Sequence, residues 1–148
     1  MSHEVEIGRG KRGRRAYTLD DIALVPARRT RDPEDVNVGW QIDAYHVDTP
    51  LMAAPMDSVM SPDTAILVGR LGGIGVLDLD GLWTRYEDPT PILDHIAHLG
   101  EEESIATLQR VYSEPIKPSL ITARLKQLRE AGVVVAGKLS PQRVQKYW

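Results

Sequence analysis

The chain has 148 residues, is 42% hydrophobic, carries a net charge of -3 and contains no cysteine. That length suits one domain with a moderate core, the charge argues against a generic nucleic-acid binder, and the lack of cysteine excludes a disulfide framework, a thiolate zinc site and a thiol nucleophile within these residues. No apolar run approaches the ~20 residues needed to span a bilayer, and no apolar segment follows the basic N-terminus as a secretory signal requires, so a soluble cytoplasmic protein is expected.

Residues 1–16 are polar, with Arg9, Lys11, Arg12, Arg14 and Arg15 clustered. They read as a basic flexible tail, or alternatively as an arm that binds phosphate or docks on a neighbouring subunit. In the leader that follows, Asp20 and Asp21 open a turn, Ile22, Leu24 and Val25 are expected to be buried, and Pro26 ends the segment. Partial alternation through Val36, Val38, Trp40 and Ile42 predicts a strand or hairpin arm over 36–48, covering one end of a barrel or sheet.

The first core strand is expected over 50–56. Pro50 lacks an N–H and fits a strand start, and Leu51 to Ala54 form the apolar run of a strand buried on both faces. Ser61 and Pro62 open a helix as N-cap and first helical residue, and Gly72-Gly73 stop it after about Leu71. A second apolar strand covers 74–79. After a loop over 80–90, apolar positions 92, 93, 96 and 99 predict an amphipathic helix. A further helix spans 101–112, with Glu101, Glu102 and Glu103 complementing its dipole. Ser119 is expected to cap the next helix, with Ile121, Leu125 and Leu128 on one face. Val133 to Ala136 read as a third buried strand, and Ser140-Pro141 open a last helix. The order is leader, then β-α-β-α(αα)-β-α, which predicts an α/β fold with a parallel sheet.

Gly72-Gly73-Ile74-Gly75 leads from a helix into a strand, the reverse of the dinucleotide fingerprint, so these glycines are assigned to packing. His95 and His98 lie three apart on a predicted helix, but no third ligand stands out and no metal site is assigned. Asp78 and Asp80 stand where the second strand reaches the sheet's mouth, which is where ligands bind in parallel α/β folds. Ligand contact and a plain loop role both remain open for them.

Tyr17-Thr18-Leu19-Asp20-Asp21-Ile22-Ala23-Leu24-Val25-Pro26, Pro50 to Val59 and Arg70 to Val76 together resemble the amino-terminal part of the IMP dehydrogenase / GMP reductase family, in its IMP dehydrogenase-related branch without CBS domains. The resemblance implies a (β/α)8 TIM barrel, of which residues 17–148 hold about the first three strands behind an N-terminal leader. It further implies an NAD-dependent oxidation of IMP to XMP in guanine nucleotide biosynthesis. Ala54 and Met56 then fall where the first-strand loop touches the ribose and purine of the substrate, and Met56 covers a base face with its polarizable thioether. Many members carry Ser where Ala54 stands, so one sugar contact is in question. Asp57 reads as holding that loop. Thr18 and Asp78 fall on the cofactor side. The family's catalytic cysteine loop has no counterpart in this chain, so no residue is assigned a catalytic role and no turnover is expected from the chain alone. A GMP reductase-like fragment, or a non-catalytic remnant that binds nucleotide or a full-length relative, are the alternatives. A homo-oligomer is expected at full length, with neither nucleic acid nor membrane as partner.

Overall fold

The computed structural model describes residues 4–25 and 32–147; Pro26, expected to end the leader, lies outside them. The chain divides into two compact units, Met1–Asn37 and Val38–Trp148.

In the first unit, residues of the stretch expected to be a flexible basic tail form an antiparallel hairpin. Glu4–Glu6 (β1) pairs with Arg12–Arg14 (β2), Val5 opposite Gly13. Arg12 reaches Glu4 at 3.4 Å, an exposed pair of small energetic value. The Thr18 amide and hydroxyl both donate to Asp21 Oδ2 at 3.0 Å, which opens a short 3-10 turn over Leu19–Asp21. The Thr18 amide, then its hydroxyl, hold the Asp21 carboxyl below its ordinary value. Ile22, Leu24 and Val25 were expected to be buried and are exposed. No described residue of this unit is buried, so it assembles no core to cover them.

The second unit carries the predicted hairpin, Trp40–Ile42 (β3) against Tyr45–Val47 (β4). Its main sheet is parallel, in the order Met52–Ala53 (β5), Ile74–Asp78 (β6), Ala136–Lys138 (β7). Between β5 and β6 runs α1 (Pro62–Arg70), its first turn closed by the Thr64 amide donating to Ser61 Oγ at 3.0 Å. It ends where Gly72 and Gly73 donate to Gly69 and Val68. Between β6 and β7 lie α2 (Thr90–Ala97), α3 (Glu101–Val111) and α4 (Pro118–Glu130), and α5 (Pro141–Tyr147) follows β7.

Three local expectations are corrected. The strand expected over 50–56 pairs only at Met52–Ala53, and Leu51 and Met52 are exposed rather than buried. β5 has β6 as its one neighbour and is an edge of the described sheet, so half its surroundings are open. The third strand begins at Ala136 rather than Val133, because Gly132 and Val133 still donate to Arg129 and Leu128 at the end of α4. Register is then set by β6, with Val76 beside Ala136 and Asp78 beside Lys138. α4 begins at Pro118, one residue before the expected Ser119 cap. Lys117 is extended there and its amide donates to Thr84 O, which leaves the proline at the first helical position.

β6 is the only described strand with a neighbour on each side, and the alternation of its side chains divides the core. Leu77, then Leu79 beyond the strand end, pack with Met60, Ala65, Ile121 and Leu128 on the helical side. Ile74 and Val76 pack with Val47, Ile42 and Val134 on the other, so the β3–β4 hairpin covers part of that face, where it was expected to cover one end of a barrel or sheet.

Candidate functional site

The carboxyl ends of the three parallel strands gather most of the unit's buried or half-buried charge. The loop after β5 carries Asp57. One of its oxygens, Oδ2, accepts from the Leu82 amide at 2.7 Å and from the Tyr112 hydroxyl at 2.5 Å. Its Oδ1 is buried with no partner among the described residues. Gly81 makes this seating possible: a Cβ there would lie 2.2 Å from Asp57 Oδ1 and 2.5 Å from Oδ2. Burial pushes the Asp57 carboxyl above its ordinary value against the opposing pull of Tyr112 and Leu82. Burial and the adjacent Asp57 also push the Tyr112 hydroxyl well above its ordinary value. A phenol that stays protonated beside a carboxylate is a fixed donor.

The loop after β6 is built as a rigid platform. Arg85 is only 5% exposed. Its guanidinium donates twice to Asp80 O, at 3.2 and 2.9 Å, and also to Glu114 O. It also lies over the Tyr112 ring, 5.5 Å from the centroid. Thr84, fully buried, donates its hydroxyl toward Leu79 O and Gly81 O. From α4, Arg124 donates to the carbonyls of Trp83 and Glu87 and stacks over the Trp83 ring. A loop whose carbonyls are held by two arginines presents its amides, Leu82 N among them, in fixed positions.

The third strand supplies the countercharge. Lys138 sits 3.2 Å from Asp78 and 3.5 Å from Asp80, and Arg143 of α5 sits 2.9 Å from Asp80. The Ser140 amide donates to Asp80 Oδ2 at 2.6 Å. Burial alone would raise the Asp80 carboxyl, but the Ser140 amide, Arg143 and Lys138 outweigh it and hold it below 3.8. Burial opposes the Lys138 charge too, and Asp78 and Asp80 outweigh it, so its pKa is raised. A carboxyl with a lowered folded value stabilises above its ordinary 3.8 and loses that contribution as pH falls through the folded value. Asp80→Asn is therefore expected to lower the thermal midpoint at neutral pH. The gap to wild type should close on acidification below 3.8. A gap unchanged into acid would assign the loss to packing instead.

Of the residues singled out in sequence, Ala54 and Met56 lie together at the carboxyl end of β5 with both side chains exposed. Asp57 holds their loop, as read. Asp78 is half-buried at the last position of β6. Its Oδ1 accepts from the Asp80 amide at 2.9 Å and from Lys138, and its Oδ2 has only a 3.4 Å approach from Lys138. Thr18 belongs to the first unit, in the capping turn with Asp21. The His98 ring lies against Asp94 O on its own helix, and among the described residues no group of three ligating side chains gathers for a metal. No described helix is long and apolar enough to cross a membrane. Arg85, Tyr112, Lys138 and Arg143 were missed. They lie 28 or more positions from Asp57 in sequence, and only the folded chain brings them to it or to its supporting loop.

Residues 16–82 match the IMP dehydrogenase / GMP reductase domain. Over 146 residues the chain is 42% identical to a protein of Mycolicibacterium smegmatis named an uncharacterized oxidoreductase, covering 95% of this chain and 39% of that one. Over 64 residues it is 38% identical to the inosine-5'-monophosphate dehydrogenase of Methanocaldococcus jannaschii, covering 43% of this chain and 13% of that enzyme. A crystal structure of an IMP dehydrogenase/GMP reductase-like protein from Corynebacterium glutamicum matches with a TM-score of 0.81 and 40% identity, over 97% of this chain and 40% of the other. The chain spans less than half the length of these relatives.

Proposed function

We propose that this chain, which belongs to the IMP dehydrogenase / GMP reductase family of oxidoreductases, forms the first strands of a (β/α)8 barrel and supplies part of a binding site for a purine nucleoside 5′-monophosphate, IMP first. The observation that carries this reading is Met56, 52% exposed at the carboxyl end of a parallel strand while the next residue is pinned by two hydrogen bonds. An exposed thioether on a braced loop suits the face of a purine. Ala54 beside it offers van der Waals contact to the ribose but no hydrogen bond.

The residues present partly suit a nicotinamide dinucleotide, NAD. Asp78 Oδ2 has spare acceptor capacity, and the hydroxyls of such a cofactor are donors. Thr18 is assigned to it by resemblance alone. When bound, the cofactor would supply hydride acceptance. This chain's own part is to bind and orient, since its 148 residues hold no cysteine to attack a purine. A cytoplasmic location and assembly into a homo-oligomer at full length go with this reading.

Titration calorimetry of the 148-residue chain tests it. IMP is expected to bind weakly, with a Kd on the order of 1 mM. Met56→Ala is expected to weaken it about fivefold without changing the melting curve. A folded chain that ignores IMP and GMP alike, or binds them equally with Ala at 56, would overturn the assignment. Tighter binding of GMP than IMP would favour the reductase reading.

A further inference from the structure

We propose that Tyr112 is a positioning residue for the Met56 loop, holding it in its binding conformation through the hydroxyl's hydrogen bond to Asp57. The role in nucleotide binding rests on the site proposed above; the mechanical link stands on geometry alone.

Tyr112 follows directly on α3, within the helical excursion that leaves the sheet after β6 and returns through α4. Its ring is fixed from one side by the Arg85 guanidinium, which is itself tied to the carbonyls of Asp80 and Glu114. The hydroxyl then reaches across 55 residues of sequence to Asp57 Oδ2 at 2.5 Å. Asp57 is adjacent to Met56, and the Met60 and Val59 amides donate back to Met56 O at 2.8 and 3.0 Å, which makes this loop one compact turn. A displacement of Asp57 therefore carries Met56 with it. The Leu82 amide alone tethers Asp57 to the loop after β6; Tyr112 is what ties it to the helical excursion. A ligand or partner that moves the end of α3 acts on the Met56 loop directly through this hydroxyl.

The test uses the whole 148-residue chain labelled at its methionine methyls, with Tyr112→Phe as the variant and Tyr86→Phe as the control. Tyr86 donates its hydroxyl to Val111 O at 3.1 Å, at the same end of α3, and not to Asp57. If Tyr112 positions the loop, Tyr112→Phe shifts or broadens the Met56 methyl resonance, leaves Met52 in place, and weakens IMP about tenfold. Tyr86→Phe leaves Met56 and IMP binding unchanged even where it lowers the melting temperature. Asp57→Asn, which keeps an oxygen for both donors, is expected to restore most of what Asp57→Ala loses. A Met56 resonance indifferent to Tyr112→Phe, or equally sensitive to Tyr86→Phe, would overturn the proposal. If the wild type ignores IMP while Met56 still responds only to Tyr112→Phe, the nucleotide reading fails and the link stands.

Discussion

Gly75→Ala is expected to destabilise the second unit by about 3 kcal/mol or more, enough to unfold a chain of ordinary marginal stability. A Cβ at position 75 would lie 2.4 Å from Ala65 Cα and 2.7 Å from both Ala65 Cβ and Ala65 O. Those are backbone atoms of α1 and its shortest side chain, so no rotamer change relieves the overlap. The helix would have to move away from β6. Its first turn is anchored by Ser61, and Ala65 lies inside the cluster of Met60, Leu77, Ile121 and Leu128. Lifting α1 would open a gap over Leu77, which is 1% exposed, and lose its packing as well. Gly137 provides the comparison. A Cβ there would meet Leu79 at Cδ1, 2.6 Å away, and at Cγ, 2.9 Å away, atoms of one side chain rather than of the backbone. Gly137→Ala should therefore cost roughly 1 kcal/mol. Urea unfolding followed by circular dichroism checks both; equal midpoints for the two variants would show that α1 yields more readily than its packing implies.

That contrast bears on what a sequence reveals. Gly75 was legible as a packing glycine because it follows a helix stop and opens an apolar strand, the reverse of the order a dinucleotide fingerprint needs. The Ser61-Pro62 opening was legible because capping is local chemistry, complete within four residues. The strand edges were not. Leu51 and Met52 have the composition of a buried strand, yet neighbours decide burial, and β5 has one. The third strand shifted by three residues because the end of α4 claims Gly132 and Val133 before pairing starts. The family signature pointed to the Met56 loop, and Asp57 was read as its holder. What it holds on to was not legible, because Leu82 and Tyr112 lie 25 and 55 positions away, and neither the loop read over 80–90 nor the helix read over 101–112 signals a partner for Asp57.

Gly81→Ala is the second substitution of large expected effect, and it separates the presence of Asp57 from its position. The added Cβ would stand 2.2 Å from Asp57 Oδ1 and 2.7 Å from Cγ, so the carboxylate must swing out. Both the Leu82 amide and the Tyr112 hydroxyl then lose their acceptor. Two charge-assisted hydrogen bonds go at once, for a loss of about 3 kcal/mol, partly offset as the carboxylate regains water. Met56 leaves its seat, and IMP binding should fall by more than tenfold under the proposed reading. Asp57→Ala alone removes the same acceptor, for a similar loss. The double variant decides whether the clash is the cause. With Asp57 truncated, the Cβ added at position 81 enters space the carboxylate has vacated, so Gly81→Ala should cost little more in that background. Fully additive losses would mean that Gly81 acts on its own turn and not on Asp57. A double variant no less stable than Asp57→Ala would show that Gly81 is glycine to make room for one carboxylate.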